Sequence, residues 1–546
     1  MNAPYDSYVR DRLPPAEQWP RLHYDLAGMQ WPDRLNAVET LWARASEHGW
    51  LDRPLLRSDR AVLSYAQTRD RVHLLARLLK EELGLVPGNR VLLRGPNSIE
   101  LAVIWLAVVQ AGLIAVSTMP LLRAKELGDI IDKSRPSLAL CDARLLDELQ
   151  AAQTSHPQLT RIIPFDPSGP PGSLEALMAN TISRESDPLA ATPESSTLAD
   201  HVALLAFTSG TTGTPKAAVH THRDLLAACE AWPRHVLKAR PEDIVMGSPP
   251  LAFTFGLGGL LLFPLWAGAS VYYPDAAYTP QRMVDLMRAV GCTICYTAPT
   301  FYRQMAQLVQ QTPVPSLRLS VSAGESLPDA TRQLWRQASG LEMVDGIGAT
   351  EMFHIFISSA GDEVRPGAIG KVVPGYQARV VDEHGQELPR GTVGRLAVTG
   401  PTGCRYLDDP RQTRYVRDGW NYPGDTFMQD EDGYFHYQAR DDDMIITAGY
   451  NVGGPEVEDA LLLHPAVAEC GVVGKPDPER GMIVKAYCVL RTTHTPSTEL
   501  VKALQDHVKL ALAPYKYPRE IEFVAQLPRT ETGKLQRFRL RQMAQS

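Results

Sequence analysis

Strand-length apolar runs recurring between helix-length amphipathic stretches constrain this chain more than any other feature. Arg90-Val91-Leu92-Leu93 precedes a helical pattern from Leu101, and Leu113-Ile114-Ala115-Val116, Leu138-Ala139-Leu140-Cys141, Arg161-Ile162-Ile163, Ser270-Val271-Tyr272-Tyr273 and Thr293-Ile294-Cys295-Tyr296 continue the alternation. This predicts an α/β fold with parallel sheets, because parallel strands need long crossover connections. Further helices are expected over 36–48, where Val38, Leu41, Trp42 and Ala45 share a face, and over 65–83. Residues 1–35, rich in Pro, Trp and charge, read as an irregular surface arm. After Asp382-Glu383-His384-Gly385 the pattern shifts toward antiparallel strands, predicting a small β-barrel-like subdomain. We draw a boundary at Arg440, giving a large domain over 1–440 and a small mobile α+β domain over 441–546 with helices at 455–463 and 497–512.

At 546 residues with 44% hydrophobic and 21% charged side chains, the chain has material for a sizeable core. A formal charge of -7 argues against nucleic acid as a partner. Seven scattered cysteines suit a reducing cytosol, and Cys292-x-x-Cys295 reads as a buried strand rather than a metal or redox pair. The N-terminus carries no basic-then-apolar signal pattern. The apolar stretch 101–119 is broken by Gln110 and Gly112, so we expect no membrane span and a soluble cytoplasmic protein.

Chemistry concentrates first in Thr208-Ser209-Gly210-Thr211-Thr212-Gly213-Thr214-Pro215-Lys216. Hydroxyls, glycines permitting close backbone approach and a terminal cation suit the oxygens of a polyphosphate. The spacing is not that of a P-loop ATPase. The same composition also suits a solvated linker. The full nine-residue pattern resembles the signature of the adenylate-forming superfamily of acyl-CoA synthetases, luciferases and peptide-synthetase adenylation domains. Further motifs extend the likeness from about Val38 to Arg537.

The resemblance implies that Thr350 touches the α-phosphate and Glu351 holds Mg2+, in Asp345-Gly346-Ile347-Gly348-Ala349-Thr350-Glu351. Ile347 stands where the family usually stacks an aromatic ring on adenine. Gly324-Glu325-Ser326 resembles the opposite adenine wall, with a plain Gly turn as its alternative. Asp425 would accept the ribose hydroxyls, although Pro423 replaces the usual Thr. Arg440 would bind ribose or phosphate, Asp442 would be the hinge, and Asp441 and Asp443 read as solvated. The family's customary Gly and Lys are Ala439 and Ile446 here. Ala448 and Gly449 correspond to a loop lining the CoA tunnel. Lys534, in Pro528-Arg529-Thr530-Glu531-Thr532-Gly533-Lys534, resembles the adenylation lysine, whose bland alternative is a surface turn.

Phe253, Thr254, Phe255 and Gly256, with Ala349 and His354, resemble the acyl pocket of the benzoate and 2-aminobenzoate CoA ligase branch; from apolarity alone the Phe residues would be core. The resemblance implies an ATP-dependent aryl acid CoA ligase using ATP, Mg2+ and coenzyme A, with a small aryl carboxylic acid as partner substrate, 2-aminobenzoate or benzoate foremost. It also allows a homodimer. The alternatives are a ligase for medium-chain or other carboxylic acids and a carrier-protein-loading adenylation enzyme.

Overall fold

The computed structural model describes residues 5–184, 197–208, 215–324, 327–440, 443–447, 450–477, 480–529 and 535–545. Of the expected site residues, Ser209, Gly210, Thr211, Thr212, Gly213, Glu325, Ser326, Asp442, Ala448, Gly449 and Lys534 lie outside the described residues.

Two large sheets carry the α/β layout. One orders six strands as Ile162–Phe165, Leu138–Asp142, Arg90–Arg94, Ile114–Thr118, Val202–Thr208 and Lys216–Thr221; all neighbours are parallel except the last pair. The other orders nine strands, with Met343–Gly348, Leu319–Ser322, Ile294–Thr297, Ile244–Gly247 and Ser270–Tyr272 as adjacent parallel members. Parallel strands deliver their following loops to one edge, where α/β proteins place ligands. That edge receives Gly324 and the turn carrying Thr350 and Glu351.

The helix Ile99–Gln110 explains the apolar stretch. Every residue in it except Glu100 is buried, as befits a helix enclosed by other elements. Gly112, at φ 74°, turns the chain into the strand Ile114–Thr118. No helix of the described residues is long and apolar enough to cross a membrane. The helix Ala37–Glu47 starts where the Asn36 side chain accepts from the backbone of Val38 and Glu39, and it buries Val38, Leu41, Trp42 and Ala45.

Residues 377–440 form an antiparallel sheet in which Val380 faces Leu396 and Asp425 faces Arg440. The residues from Tyr5 onward run over the larger body as an arm; Arg21 N–H donates to Gly419 O at 2.8 Å and His23 N–H to Gly400 O at 3.0 Å. A fourth sheet, Tyr450–Val452, Ile445–Thr447, Gly481–Leu490 and Val467–Asp477 with Glu520–Phe523, packs on the helices Gly454–Leu462 and Thr498–Ala511. The core of this C-terminal sheet is lined by Ile445, Val452, Val457, Leu461, Val472 and Val484.

The strands Ile445–Thr447 and Tyr450–Val452 flank the expected loop positions Ala448 and Gly449, with Ile446 pairing Asn451. One expectation changes, beside the expected hinge. Asp443 is not solvated: it forms an ion pair with Arg541, and Arg537 lies 3.9 Å away, so it docks against the helix Arg537–Gln545.

Candidate active site

The strands Val202–Thr208 and Lys216–Thr221 place Thr208 directly opposite Lys216, so the two ends of the hydroxyl-rich segment are neighbours. A third piece of chain joins this edge: Leu407 N–H donates to Ala217 O and Val219 N–H to Arg405 O, at 2.9 and 2.8 Å. That pairing delivers Tyr406. Lys216 Nζ donates to the Tyr406 hydroxyl at 3.3 Å, and the hydroxyl in turn donates to Glu351 Oε1. Burial, followed by the charge of Glu351, pushes the Tyr406 phenol far above its ordinary range. Sequence reading did not single out Tyr406, and no local pattern marks it.

Glu351 is buried on a single turn, Thr350–Met352, just beyond the strand Met343–Gly348. Its neighbours are clamped. Thr350 O accepts from His220 Nε2 at 2.8 Å and from Phe353 N–H at 3.1 Å, while Met352 O accepts from Thr402 Oγ1 at 2.6 Å. Burial pushes the His220 pKa down to about 4, so near neutrality it is an uncharged donor. Phe353 sits at φ 69° and ψ -50°, a conformation that costs a non-glycine residue about 1–3 kcal/mol and persists only where the surroundings enforce it. The described residues hold no cluster of three metal-ligating side chains. A lone carboxylate is nevertheless a suitable donor for Mg2+ carried on nucleotide phosphates, which needs one or two protein oxygens rather than a full cage.

On the nucleoside side, Asp345 is buried against Arg332 at 3.4 Å and accepts from Gly346 N–H at 2.9 Å. Burial outweighs Arg332 and pushes its pKa up to about 6. Ile347 is half-buried opposite Ile357, and Gly324 adopts φ 92° just beyond its strand. Across the antiparallel sheet, Arg440 Nη1 lies 3.3 Å from the buried Asp425 carboxylate. The expected sugar-binding pair is therefore already in contact.

The residues expected to form the acyl wall come from distant segments. Phe255 lies in the short helix Thr254–Leu257 after the strand Ile244–Gly247, and His354 follows the Glu351 turn. Their rings are 5.6 Å apart, and His354 also meets Phe263 at 4.6 Å and Trp232 at 5.2 Å; Tyr296 packs on Phe255 at 5.7 Å. Trp232, Phe263 and Tyr296 were not foreseen, because in sequence they are ordinary core aromatics. Burial drives the His354 pKa down to about 3, and neither ring nitrogen finds a good hydrogen-bond partner; a Phe255 backbone group offers only weak support to the protonated form. The buried Trp232 Nε1 and Tyr296 hydroxyl are also unpartnered. Phe253 is half-buried at the start of the short helix, and Thr254 is buried. Gly256 faces the Pro250 carbonyl with no space for a Cβ, so its role is close packing. Ala349 is half-buried and extended just before Thr350.

A family profile described as AMP-binding enzyme matches residues 41–405, and one described as AMP-binding enzyme C-terminal domain matches 456–534. The chain belongs to the AMP-binding enzymes. Benzoate–CoA ligase of Thauera aromatica is 35% identical to this AMP-binding enzyme over 515 residues, covering 93% of this chain and 96% of the relative. The crystal structure of the anthranilate CoA ligase AuaEII in complex with anthranoyl-AMP superposes with a TM-score of 0.88 at 33% identity, covering 95% of this chain and 99% of that one. A benzoate CoA ligase from Burkholderia xenovorans LB400 gives 0.82 at 31% identity, with 93% and 100% covered. The expected superfamily and fold are thus borne out.

Proposed function

We propose that this AMP-binding enzyme is an ATP-dependent aryl acid CoA ligase, with 2-aminobenzoate or benzoate as its acid. The observation that carries the aryl assignment is the ring wall of Trp232, Phe255, Phe263 and Tyr296 around His354, beside the turn bearing Thr350 and Glu351. A flat apolar surface favours an aromatic ring. Buried polar atoms without partners at Trp232, Tyr296 and His354 favour a ring that carries a polar substituent, because pairing one of them recovers a desolvation cost of about 1–3 kcal/mol. The likeness to the anthranilate and benzoate ligases supports the same reading.

In the proposed reaction a carboxylate oxygen attacks the α-phosphorus of ATP and pyrophosphate leaves. The CoA sulfur then attacks the acyl carbon, and AMP leaves. Lys216 and the hydroxyls of 208–214 hold phosphate oxygens, Asp425 accepts the ribose hydroxyls, and Arg440 releases Asp425 to bind ribose or phosphate. Glu351 would hold Mg2+, which supplies neutralisation of phosphate charge. Lys534 brings its ammonium to the α-phosphate in the first step, and rotation about Asp442 then presents Ala448 and Gly449 to the CoA arm. Seven unpaired buried cysteines support a reducing cytosol as the compartment.

The test is thioester formation with benzoate, 2-aminobenzoate and hexanoate, alongside pyrophosphate exchange. Preference for hexanoate would replace the aryl reading with the medium-chain one. Lys534→Ala should slow adenylate formation by roughly 100-fold or more while sparing thioester formation from supplied adenylate. Equal loss of both steps would refute the role given to Lys534.

A further inference from the structure

We propose that Tyr406 is a positioning residue that holds Lys216 and Glu351 apart while linking them, keeping both charges free for the nucleotide and its metal. The inference rests on the nucleotide half of the proposed function. Lys216 donates to the Tyr406 hydroxyl at 3.3 Å, and that hydroxyl donates to Glu351 Oε1, so one phenol oxygen separates a cation from a carboxylate. The ring adds a second contact, with Lys216 Nζ 5.2 Å from its centroid.

The separation matters because a direct pair between an ammonium and a buried carboxylate would be self-satisfying. Lys216 would then be withdrawn from phosphate and Glu351 from the metal. A phenol satisfies each partially, leaving two Lys216 protons and one Glu351 oxygen for ligands.

Tyr406 is itself fixed on every side. Its backbone N–H donates to Gln412 Oε1 at 2.9 Å, and Gln412 Nε2 donates to Gln18 O at 2.8 Å, which ties the site to the N-terminal arm. The preceding Arg405 forms a buried ion pair with Asp224, and the Tyr415 ring packs edge-on at 5.7 Å. A side chain immobilised in this way has the form of the outer-shell partners that orient metal ligands.

The test is Tyr406→Phe, which keeps the ring and removes the oxygen. Mg2+ is titrated at fixed ATP, with binding followed by calorimetry and, separately, pyrophosphate exchange. The half-saturating Mg2+ concentration should rise about 10-fold, the lower bound for losing such a partner, while ATP binding without metal changes less. Lys216→Gln in the Tyr406→Phe background removes the cation that would collapse onto Glu351, and should recover part of the Mg2+ response. A half-saturating concentration within about twofold of wild type overturns the inference, as does additivity of the Tyr406→Phe and Glu351→Gln effects. If Tyr406→Phe fails to fold, a cycle between Lys216→Gln and Glu351→Gln with Tyr406 intact must still show coupling, and its absence overturns the inference equally. A wild-type protein that binds Mg-ATP yet activates no aryl acid would sink the proposed function and leave this inference standing.

Discussion

His354 offers a quantitative handle on the proposed acyl wall, because its burial converts directly into a pH dependence. Its pKa falls from 6.5 to about 3 through burial among Trp232, Phe255 and Phe263. The sign follows from proton uptake: below pH 6.5 the unfolded chain gains a proton at His354 that the folded chain refuses. Stability is therefore complete above 6.5 and falls as pH drops toward 3. Between pH 7.5 and pH 5 this single imidazole removes about 2 kcal/mol of folding stability. His354→Leu should abolish that portion of the acid slope. His220 and His222, with pKa values pushed to about 4 and about 3, contribute equally in both proteins and cancel in the comparison. Urea unfolding at pH 7.5, 6 and 5, followed by tryptophan fluorescence, measures the difference. Identical pH slopes would refute the claim that His354 is held neutral in the wall. On the 2-aminobenzoate reading, the same variant should lower kcat/KM for 2-aminobenzoate relative to benzoate by roughly 10-fold, the worth of one hydrogen bond.

Two other substitutions test the packing around the site. In Gly258→Ala the new Cβ would lie 2.7 Å from His354 Cδ2 and 2.8 Å from Phe263 Cζ, so overpacking of about 1–3 kcal/mol should lower kcat/KM for aryl acids more than for hexanoate. An unchanged aryl-to-hexanoate ratio would contradict the placement of the wall. Arg405→Met leaves the buried Asp224 carboxylate without its partner and should destabilise the protein by about 3–5 kcal/mol in urea unfolding, with Asp224→Asn restoring part of the loss. A loss below about 1 kcal/mol would show that the pair is not desolvated.

The capping pair of Thr221 and Asp224 illustrates how far sequence reading reaches. The two residues form a reciprocal box at the start of the helix His222–Glu230, a contact three positions of sequence can specify, but Asp224 also neutralises Arg405, 181 positions away. Likewise the family likeness singled out Phe255 and His354, which the structure brings within 5.6 Å of each other, whereas Trp232, Phe263 and Tyr296 around them were indistinguishable from core. Asp443 was misread as solvated because its two arginines come from the final helix, nearly a hundred residues later.

The sequence by itself determined the strand and helix alternation, the helix break at Gly112, the buried strand holding Cys295 with Cys292 buried just before it, and the order of the family motifs. These follow from periodicity, capping and backbone permissiveness, which act within a dozen or so residues. Tertiary structure alone decided that Lys216 and Glu351 would meet through Tyr406, that His354 would be uncharged, and that Asp425 would already hold Arg440. Such outcomes depend on dielectric surroundings and partners supplied by distant segments, and those exist only once the sheets have brought the segments together.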